Sequence, residues 1–258
     1  MSPILEVKNL KTHFFTKAGV LKAVDGVSFE IGAGEIIGLV GESGSGKSIT
    51  GFSILGLVDE PGRIVGGQIL FKGEDLANVS PAKMQKMRGS HIAMIFQDPM
   101  MTLNPVLRIE TQMVEAIQTH DNRISKEEAR QLSRDTLGLV GISSPDERMR
   151  AYPHQFSGGM RQRVSIAIAM LNQPDLIIAD EPTTALDVTI QGQVIHEMQQ
   201  LCKKTKTALL WITHDLAVVA GISNRICVMY AGRIVEQGPN EALIGSPMHP
   251  YTKGLLGS

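Results

Sequence analysis

The residue types that predict chemistry most clearly lie in one glycine-rich turn, Gly-Glu-Ser-Gly-Ser-Gly-Lys-Ser at positions 41–48. Glycines let a backbone wrap with its N–H groups pointing inward, where they bind the oxygens of a polyphosphate. In such a turn Lys47 reaches the β- and γ-phosphates, and the Ser48 hydroxyl ligates Mg²⁺. The residues predicted to bind a nucleoside triphosphate here are Gly41, Ser43, Gly44, Ser45, Gly46, Lys47 and Ser48.

Two consecutive carboxylates, Asp180 and Glu181, follow the apolar run Leu176-Ile177-Ile178-Ala179. Parallel-sheet proteins bind ligands at the carboxyl ends of their strands, so a buried strand here would place both carboxylates at such an edge. Asp180 is predicted to hold Mg²⁺ opposite Ser48, and Glu181 to orient and deprotonate an attacking water. An Asp-Glu pair after a strand is by itself often a solvated loop, and the glycine-rich turn is what favours the hydrolytic interpretation.

A third motif places a serine and two glycines, Ser157-Gly158-Gly159, at the start of a predicted helix. The N–H groups of a helix start form an anion site, although a plain N-cap turn has the same composition. One γ-phosphate does not need two glycine-rich helix starts from the same chain. We therefore expect two chains to face each other head to tail, each offering Ser157, Gly158 and Gly159 to the nucleotide on its partner's lysine.

Short apolar runs must position these motifs. Residues 36–40 predict a buried strand before the glycine-rich turn, and residues 49–58 predict a helix after it. Strand character returns at residues 176–179, 208–213 and 225–229, and helices separate these strands. This alternation predicts an α/β fold with a mostly parallel sheet.

The middle of the chain has a different pattern. Residues 106–149 show helical spacing and little strand signal, and Ser125-Lys126-Glu127-Glu128 fits a capping box that opens a helix toward Leu139. This helical region is predicted to be a lobe inserted into the α/β domain.

The composition narrows the class of protein. The 258 residues allow one large domain or two small ones, and the formal charge of −1 gives no sign of a broadly basic nucleic-acid surface. Cys202 and Cys227 lack a C-x-x-C spacing, which favours a reducing compartment and two small apolar residues. No apolar run approaches the ~20 residues of a membrane helix, and no signal peptide is evident. We therefore expect a cytoplasmic chain that acts at a membrane only through a partner.

Taken in order, the motifs resemble those of the ATP-binding cassette (ABC) ATPases over nearly the whole chain. The residues that carry the resemblance are the turn at 41–48, Gln97, Phe-Ser-Gly-Gly-Met at 156–160, Leu-Ile-Ile-Ala-Asp-Glu-Pro at 176–182, Ala185-Leu186-Asp187 and His214. The family signature is usually Leu-Ser-Gly-Gly-Gln, so this chain differs at the first and last positions and keeps the Ser-Gly-Gly that faces phosphate.

The resemblance implies roles for four further residues. Gln97 matches the glutamine that touches Mg²⁺ and water and faces the membrane subunit, and His214 matches the histidine that contacts the γ-phosphate. Asp187 matches the aspartate that crosses the dimer interface. Phe14, ahead of Phe15, is expected to stack on adenine, although an aromatic residue near an N-terminus is often simply part of the core.

The resemblance also implies a P-loop NTPase (RecA-like) core with an N-terminal antiparallel β subdomain and an inserted α-helical subdomain. The nucleotide-binding domain is expected over residues 1–236, with the insertion at about 101–165 and a C-terminal tail over 237–258. ATP and Mg²⁺ are the implied substrate and cofactor, and ATP hydrolysis the implied reaction.

A finer resemblance concerns Phe96-Gln97-Asp98-Pro99, Leu103-Asn104-Pro105, Asp-Glu-Pro-Thr-Thr-Ala-Leu-Asp at 180–187 and His249-Pro250-Tyr251-Thr252. These stretches are similar to the dipeptide, oligopeptide and nickel importer branch. The implied function is an ATPase subunit that energises an importer, with peptide favoured over nickel or another small solute.

The implied partners are integral membrane permease subunits, a second ATPase subunit that is homologous or identical, and indirectly a solute-binding protein. The implied location is peripheral, at the cytoplasmic face of the inner membrane, with no nucleic acid bound. The alternatives are an ABC ATPase that acts on nucleic acid or ribosomes, and a P-loop kinase or other small-molecule enzyme.

Overall fold

A computed structural model describes residues 2–184, 186 and 188–257 of the chain. They form two compact units, the first comprising residues 2–85 with 208–257 and the second residues 86–207. The strands are β1 Leu5–Thr16, β2 Gly19–Ile31, β3 Ile36–Val40, β4 Gly62–Phe71, β5 Glu74–Asp75, β6 Ile92–Ile95, β7 Leu176–Asp180, β8 Ala208–Thr213, β9 Arg225–Tyr230 and β10 Arg233–Pro239. The helices are α1 Lys47–Leu55, α2 Pro81–Met87, α3 Ile109–Gln118, α4 Lys126–Leu139, α5 Pro145–Met149, α6 Gly158–Met170, α7 Val188–Thr205, α8 Leu216–Ile222, α9 Asn240–Gly245 and α10 Pro250–Gly257.

The first unit contains an antiparallel sheet in the order β2-β1-β4-β5. Its central strand β1 pairs Leu5 with Ile31 on one side and with Phe71 on the other, and all three side chains are buried. A buried hydrogen bond of 2.8 Å joins the Thr12 hydroxyl of β1 to the Ser53 hydroxyl of α1. This sheet therefore supports the helix that follows the glycine-rich turn.

The same unit contains four neighbouring strands in the order β10-β9-β3-β8. Strand β3 pairs in parallel with both β8 and β9, and all five of its residues are buried. A strand covered in this way needs a continuous apolar run rather than an alternating one, which explains the sequence of residues 36–40. Helix α8 lies close to β3, because a Cβ on Gly38 would stand 1.9 Å from the Val219 Cγ1.

The second unit pairs β6 with β7 in parallel, Ile95 opposite Ala179. Its helices α3, α4 and α5 occupy the region where helical spacing was predicted. Helix α4 begins with the predicted capping box, in which the Ser125 side chain accepts the Glu128 N–H and the Glu128 carboxylate accepts the Ser125 N–H. That prediction is confirmed.

The predicted strands at 36–40, 176–179, 208–213 and 225–229 are also confirmed, and the parallel pairing confirms the α/β prediction. The predicted helix at 49–58 was wrong in its bounds, because α1 begins at Lys47 and ends at Leu55, where Gly56 turns left-handed at φ 60°. The pattern also missed β10, an edge strand whose one pairing partner among the described strands is β9. None of the described helices has the length and apolar composition that crossing a membrane requires.

Candidate active site

The glycine-rich turn joins the carboxyl end of β3 to the start of α1, as a phosphate-binding loop does. Its two ends are packed so tightly that side chains are excluded. A Cβ on Gly41 would stand 2.1 Å from the Met229 carbonyl oxygen, and one on Gly46 would stand 2.2 Å from the Ala23 carbonyl oxygen. Gly46 also has φ 105°, a left-handed value that favours glycine. The tip of the turn, residues 42–44, is exposed.

Lys47 is buried at 6% exposure, and its ammonium lies over this turn. Its Nζ donates to the Gly41 carbonyl oxygen at 2.8 Å and to the Glu42 carbonyl oxygen at 2.9 Å. The Ser45 hydroxyl is buried and has no hydrogen-bond partner among the described residues. A buried cation, an unpaired hydroxyl and a turn in which a Cβ would clash together fit a polyphosphate chain.

His214 lies one strand away from the turn, in the same unit. It follows Thr213, the last residue of β8, and Thr213 pairs with Val40 immediately before the turn. The Asp215 carboxylate caps α8 by accepting the Ala217 N–H at 2.8 Å, which fixes the backbone just after His214. The structure thus brings His214 and the glycine-rich turn to the same edge of the sheet.

Phe14 lies near the end of β1 and is half-buried. Its ring covers Gly62 so closely that a Cβ there would be 2.6 Å from Phe14 Cε1. Phe15 is more exposed, and the Arg63 guanidinium carbon lies 4.2 Å from the centre of its ring. The preference for Phe14 as the adenine-stacking residue stays a prediction.

In the second unit, the carboxyl ends of β6 and β7 bring three predicted residues to one edge. Asp180 ends β7 at 5% exposure, and Glu181 follows with φ 48°, a strained value for a residue with a side chain. The Thr184 hydroxyl donates to Glu181 Oε2 at 2.5 Å and orients that carboxylate. Gln97 stands exposed two residues beyond β6, before Asp98, which accepts the Met100 N–H at 2.9 Å.

The Ser-Gly-Gly motif begins α6 in this unit. Ser157 is the N-cap, and its hydroxyl accepts the Met160 N–H at 3.3 Å. Ser157 and Gly158 are exposed, while the preceding Phe156 is buried at 4% exposure and anchors the turn. The start of this helix is therefore presented at the surface of the chain.

Asp187 lies outside the described residues. Buried Cys202 and Cys227 have pKa values raised to about 12 by burial, so both thiols stay protonated. The sequence predicts no role for Tyr251, yet its hydroxyl accepts the Glu42 N–H at the tip of the glycine-rich turn. The two residues are 209 positions apart, so the one sequence signal for Tyr251 is the His-Pro-Tyr-Thr stretch that contains it.

Comparison with known proteins supports the resemblance to the ABC ATPases. The sequence profile of the ABC transporter family matches residues 24–184. The chain is 52% identical to the oligopeptide transport ATP-binding protein AppD of Bacillus subtilis, over 100% of the chain and 79% of that protein. It is 50% identical to the dipeptide transport ATP-binding protein DppD of the same organism, over 100% of the chain and 77% of that protein. It is 48% identical to the dipeptide transport ATP-binding protein DppD of Escherichia coli, over 98% of the chain and 77% of that protein.

Two solved structures share the fold. The dimeric ATP-binding cassette MJ0796, in a post-hydrolysis state with ADP and Pi, superposes with a TM-score of 0.83 at 25% identity, over 92% of this chain and 98% of that one. The cbiO1 protein of Clostridium perfringens, part of the ABC transporter complex cbiONQ, superposes with a TM-score of 0.79 at 24% identity. The superposition covers 95% of this chain and 92% of that one.

Proposed function

The chain belongs to the ABC transporter family of ATP-binding proteins, and we propose that it is the ATP-hydrolysing subunit that energises a peptide importer. The observation that carries this proposal is the phosphate-binding turn between β3 and α1, with the Lys47 ammonium over it. The peptide cargo is supported by identities of 48–52% to proteins named for oligopeptide and dipeptide transport.

The nucleotide is held by the turn and its neighbours. In the chain whose glycine-rich turn holds the nucleotide, the residues proposed to bind ATP are Phe14, Gly41, Ser43, Gly44, Ser45, Gly46, Lys47 and Ser48. Lys47 offsets the charge of the β- and γ-phosphates, and His214 contacts the γ-phosphate from the end of the neighbouring strand β8. Because the Gly41 and Glu42 carbonyl oxygens hold the Lys47 ammonium over the turn, it stabilises charge with little reorganisation during the reaction.

Magnesium is the proposed cofactor. Hydroxyl, amide and carboxylate oxygens are the ligands that Mg²⁺ prefers, and Ser48, Gln97 and Asp180 supply one of each. Bound there, the ion would neutralise phosphate charge. The position of Asp180 fits this role, because it ends β7 at the carboxyl edge where parallel-sheet proteins bind their ligands.

Glu181 is the proposed general base. Its backbone is held at φ 48°, and the Thr184 hydroxyl donates to its Oε2, which orients the carboxylate. Phosphoryl transfer needs little covalent chemistry from the protein, and orienting and deprotonating water is the part a carboxylate performs.

The working form is proposed to be a head-to-tail pair, with a second copy or a homologous chain as the partner. The exposed Ser157 and Gly158, together with Gly159, would bind the triphosphate of the partner, and Asp187 would cross the interface. To move an open–closed equilibrium from 1:99 to 99:1, ATP must favour the closed pair by roughly 5.5 kcal/mol. We propose that two nucleotides, each held by both chains, supply this difference.

The membrane partners are proposed to be integral permease subunits that meet the exposed Gln97 loop. A solute-binding protein would act on them indirectly. The chain is accordingly proposed to act at the cytoplasmic face of the inner membrane as a peripheral subunit.

A transport assay tests the proposal. The chain is assembled with its co-purifying permease subunits in vesicles, and ATP is supplied on the side that carries the ATPase. ATP-driven movement of a labelled di- or oligopeptide is expected, and Lys47→Ala should abolish it. ATP hydrolysis that moves nickel but no peptide would contradict the cargo, and failure to bind ATP at all would contradict the function.

A further inference from the structure

The tip of the phosphate-binding turn is held from outside by the C-terminal helix α10. The Tyr251 hydroxyl of that helix accepts the Glu42 N–H at 2.9 Å. Both residues belong to the first unit, and the contact joins the two sequence segments that form that unit. The hydrogen bond joins the backbone of the turn to Tyr251, a residue with no role in the function proposed above.

The same peptide group is held from its other side by Lys47. The Glu42 N–H and the Gly41 carbonyl belong to one peptide bond, and in a trans peptide they point in opposite directions. The Gly41 oxygen accepts Lys47 Nζ at 2.8 Å. Tyr251, the 41–42 peptide and Lys47 therefore form a chain of hydrogen bonds, in which each bond polarises the next.

The segment that carries Tyr251 is itself well anchored. The Glu236 carboxylate of β10 accepts the Met248 N–H at 2.7 Å through Oε1 and the His249 N–H at 3.0 Å through Oε2. The Tyr230 ring at the end of β9 packs against the Tyr251 ring, with the centroids 4.6 Å apart and the planes at 49°. An anchored tyrosine loses little further entropy when it bonds to the turn.

The Tyr251 hydroxyl is neutral at neutral pH. Burial raises its pKa above the usual value, and the Glu42 N–H acts against that rise without cancelling it. The oxygen therefore keeps its own proton while it accepts the Glu42 N–H.

We propose that Tyr251 is a positioning residue of the nucleotide site, which holds the 41–42 peptide so that its carbonyl directs the Lys47 ammonium. This role rests on the proposed binding of ATP by the turn. Without the hydroxyl, the peptide loses a hydrogen bond on one side and turns more freely. Lys47 then spends less time in the orientation that meets the phosphates.

The test measures binding of the fluorescent trinitrophenyl analogue of ATP to the full chain. Tyr251→Phe keeps the ring against Tyr230 and removes only the hydroxyl, and its Kd is expected to rise roughly two- to ten-fold, as for one lost hydrogen bond. The matched control is Tyr230→Phe, which removes a hydroxyl from the other ring of the pair, outside the hydrogen-bonded chain. Its Kd should equal that of the unmutated protein.

A double-mutant cycle separates positioning from a loss of packing. In a Lys47→Ala background, measured at high protein concentration, Tyr251→Phe should change the Kd by less than about two-fold, because its effect passes through Lys47. Glu236→Gln, which weakens the anchor of the segment, should raise the Kd in the same direction.

Three results would overturn the inference. The first is an unchanged Kd for Tyr251→Phe in the otherwise unmutated chain. The second is a fold-change in Kd for Tyr251→Phe that is as large in the Lys47→Ala background as in the unmutated one. The third, which decides the matter if Tyr251→Phe folds poorly, is an unchanged Kd for Glu236→Gln. Absence of binding by the unmutated chain would overturn the proposed function and this role together, whereas the three results above leave the function standing.

Discussion

Replacing Gly46 by alanine tests whether the phosphate-binding turn is as tightly supported as the structure shows. A Cβ there would stand 2.2 Å from the Ala23 carbonyl oxygen and 2.7 Å from the Met229 Cε. The left-handed φ of 105° costs about 1–2 kcal/mol for a residue with a side chain, and forcing an extra methyl group into a packed site costs about 1–3 kcal/mol more. Gly46→Ala should therefore lower the free energy of unfolding by about 2–5 kcal/mol.

Gly44→Ala is the matched control, because it isolates the backbone strain. Gly44 also has a left-handed φ, 79°, yet no atom of the described residues would lie within 4 Å of a Cβ at this position. This variant should lose only the strain, about 1–2 kcal/mol. Both are compared with the unmutated chain by urea denaturation followed by circular dichroism, with the slope of the transition as a check on cooperativity. Equal losses for the two variants would refute the close packing of Gly46 against Ala23 and Met229.

Two further predictions concern the second unit. Glu181→Gln should bind ATP normally but hydrolyse it ~10²- to 10⁴-fold more slowly, the usual worth of general-base catalysis, and near-normal turnover would remove Glu181 from that role. The Arg123 guanidinium hydrogen-bonds the Asp121 carboxylate and lowers its pKa to about 2. Because the folded pKa is depressed, the stabilisation is present above the unfolded value near 3.8 and is lost as the pH falls through about 2. Arg123→Gln should return the Asp121 pKa toward 3.8 in an NMR titration, and an unmoved pKa would contradict the pairing.

Elements with strong local signals could be predicted from the sequence. Residues 36–40 are continuously apolar because β3 is flanked by two parallel strands, and the glycines that follow leave few alternatives to a phosphate-binding turn. The capping box at Ser125 was equally local, since its two hydrogen bonds join residues three positions apart. The apolar run of a buried strand and the hydrogen bonds of a capping box each involve a few consecutive residues, so the sequence pattern reveals them.

Other features depended on contacts between distant residues. Strand β10 contains Gly238 and Pro239, which disfavour a strand, and it is tolerated because an edge strand leaves one side unpaired. The Tyr251–Glu42 hydrogen bond joins residues 209 positions apart, and no local pattern encodes it. The roles of Phe14 and Asp187 were drawn from the family alone and stay predictions.

The most direct measurement of the central claim is the ATPase activity of the assembled transporter that carries Ser157→Arg. An arginine at this exposed N-cap should block the partner's nucleotide from the start of α6, while the phosphate-binding turn of the same chain is untouched. We expect hydrolysis by the assembly to be lost and ATP binding by the free chain to stay within about two-fold of normal, since surface substitutions are usually near neutral. Full hydrolysis by the mutant assembly would contradict a triphosphate shared between two chains.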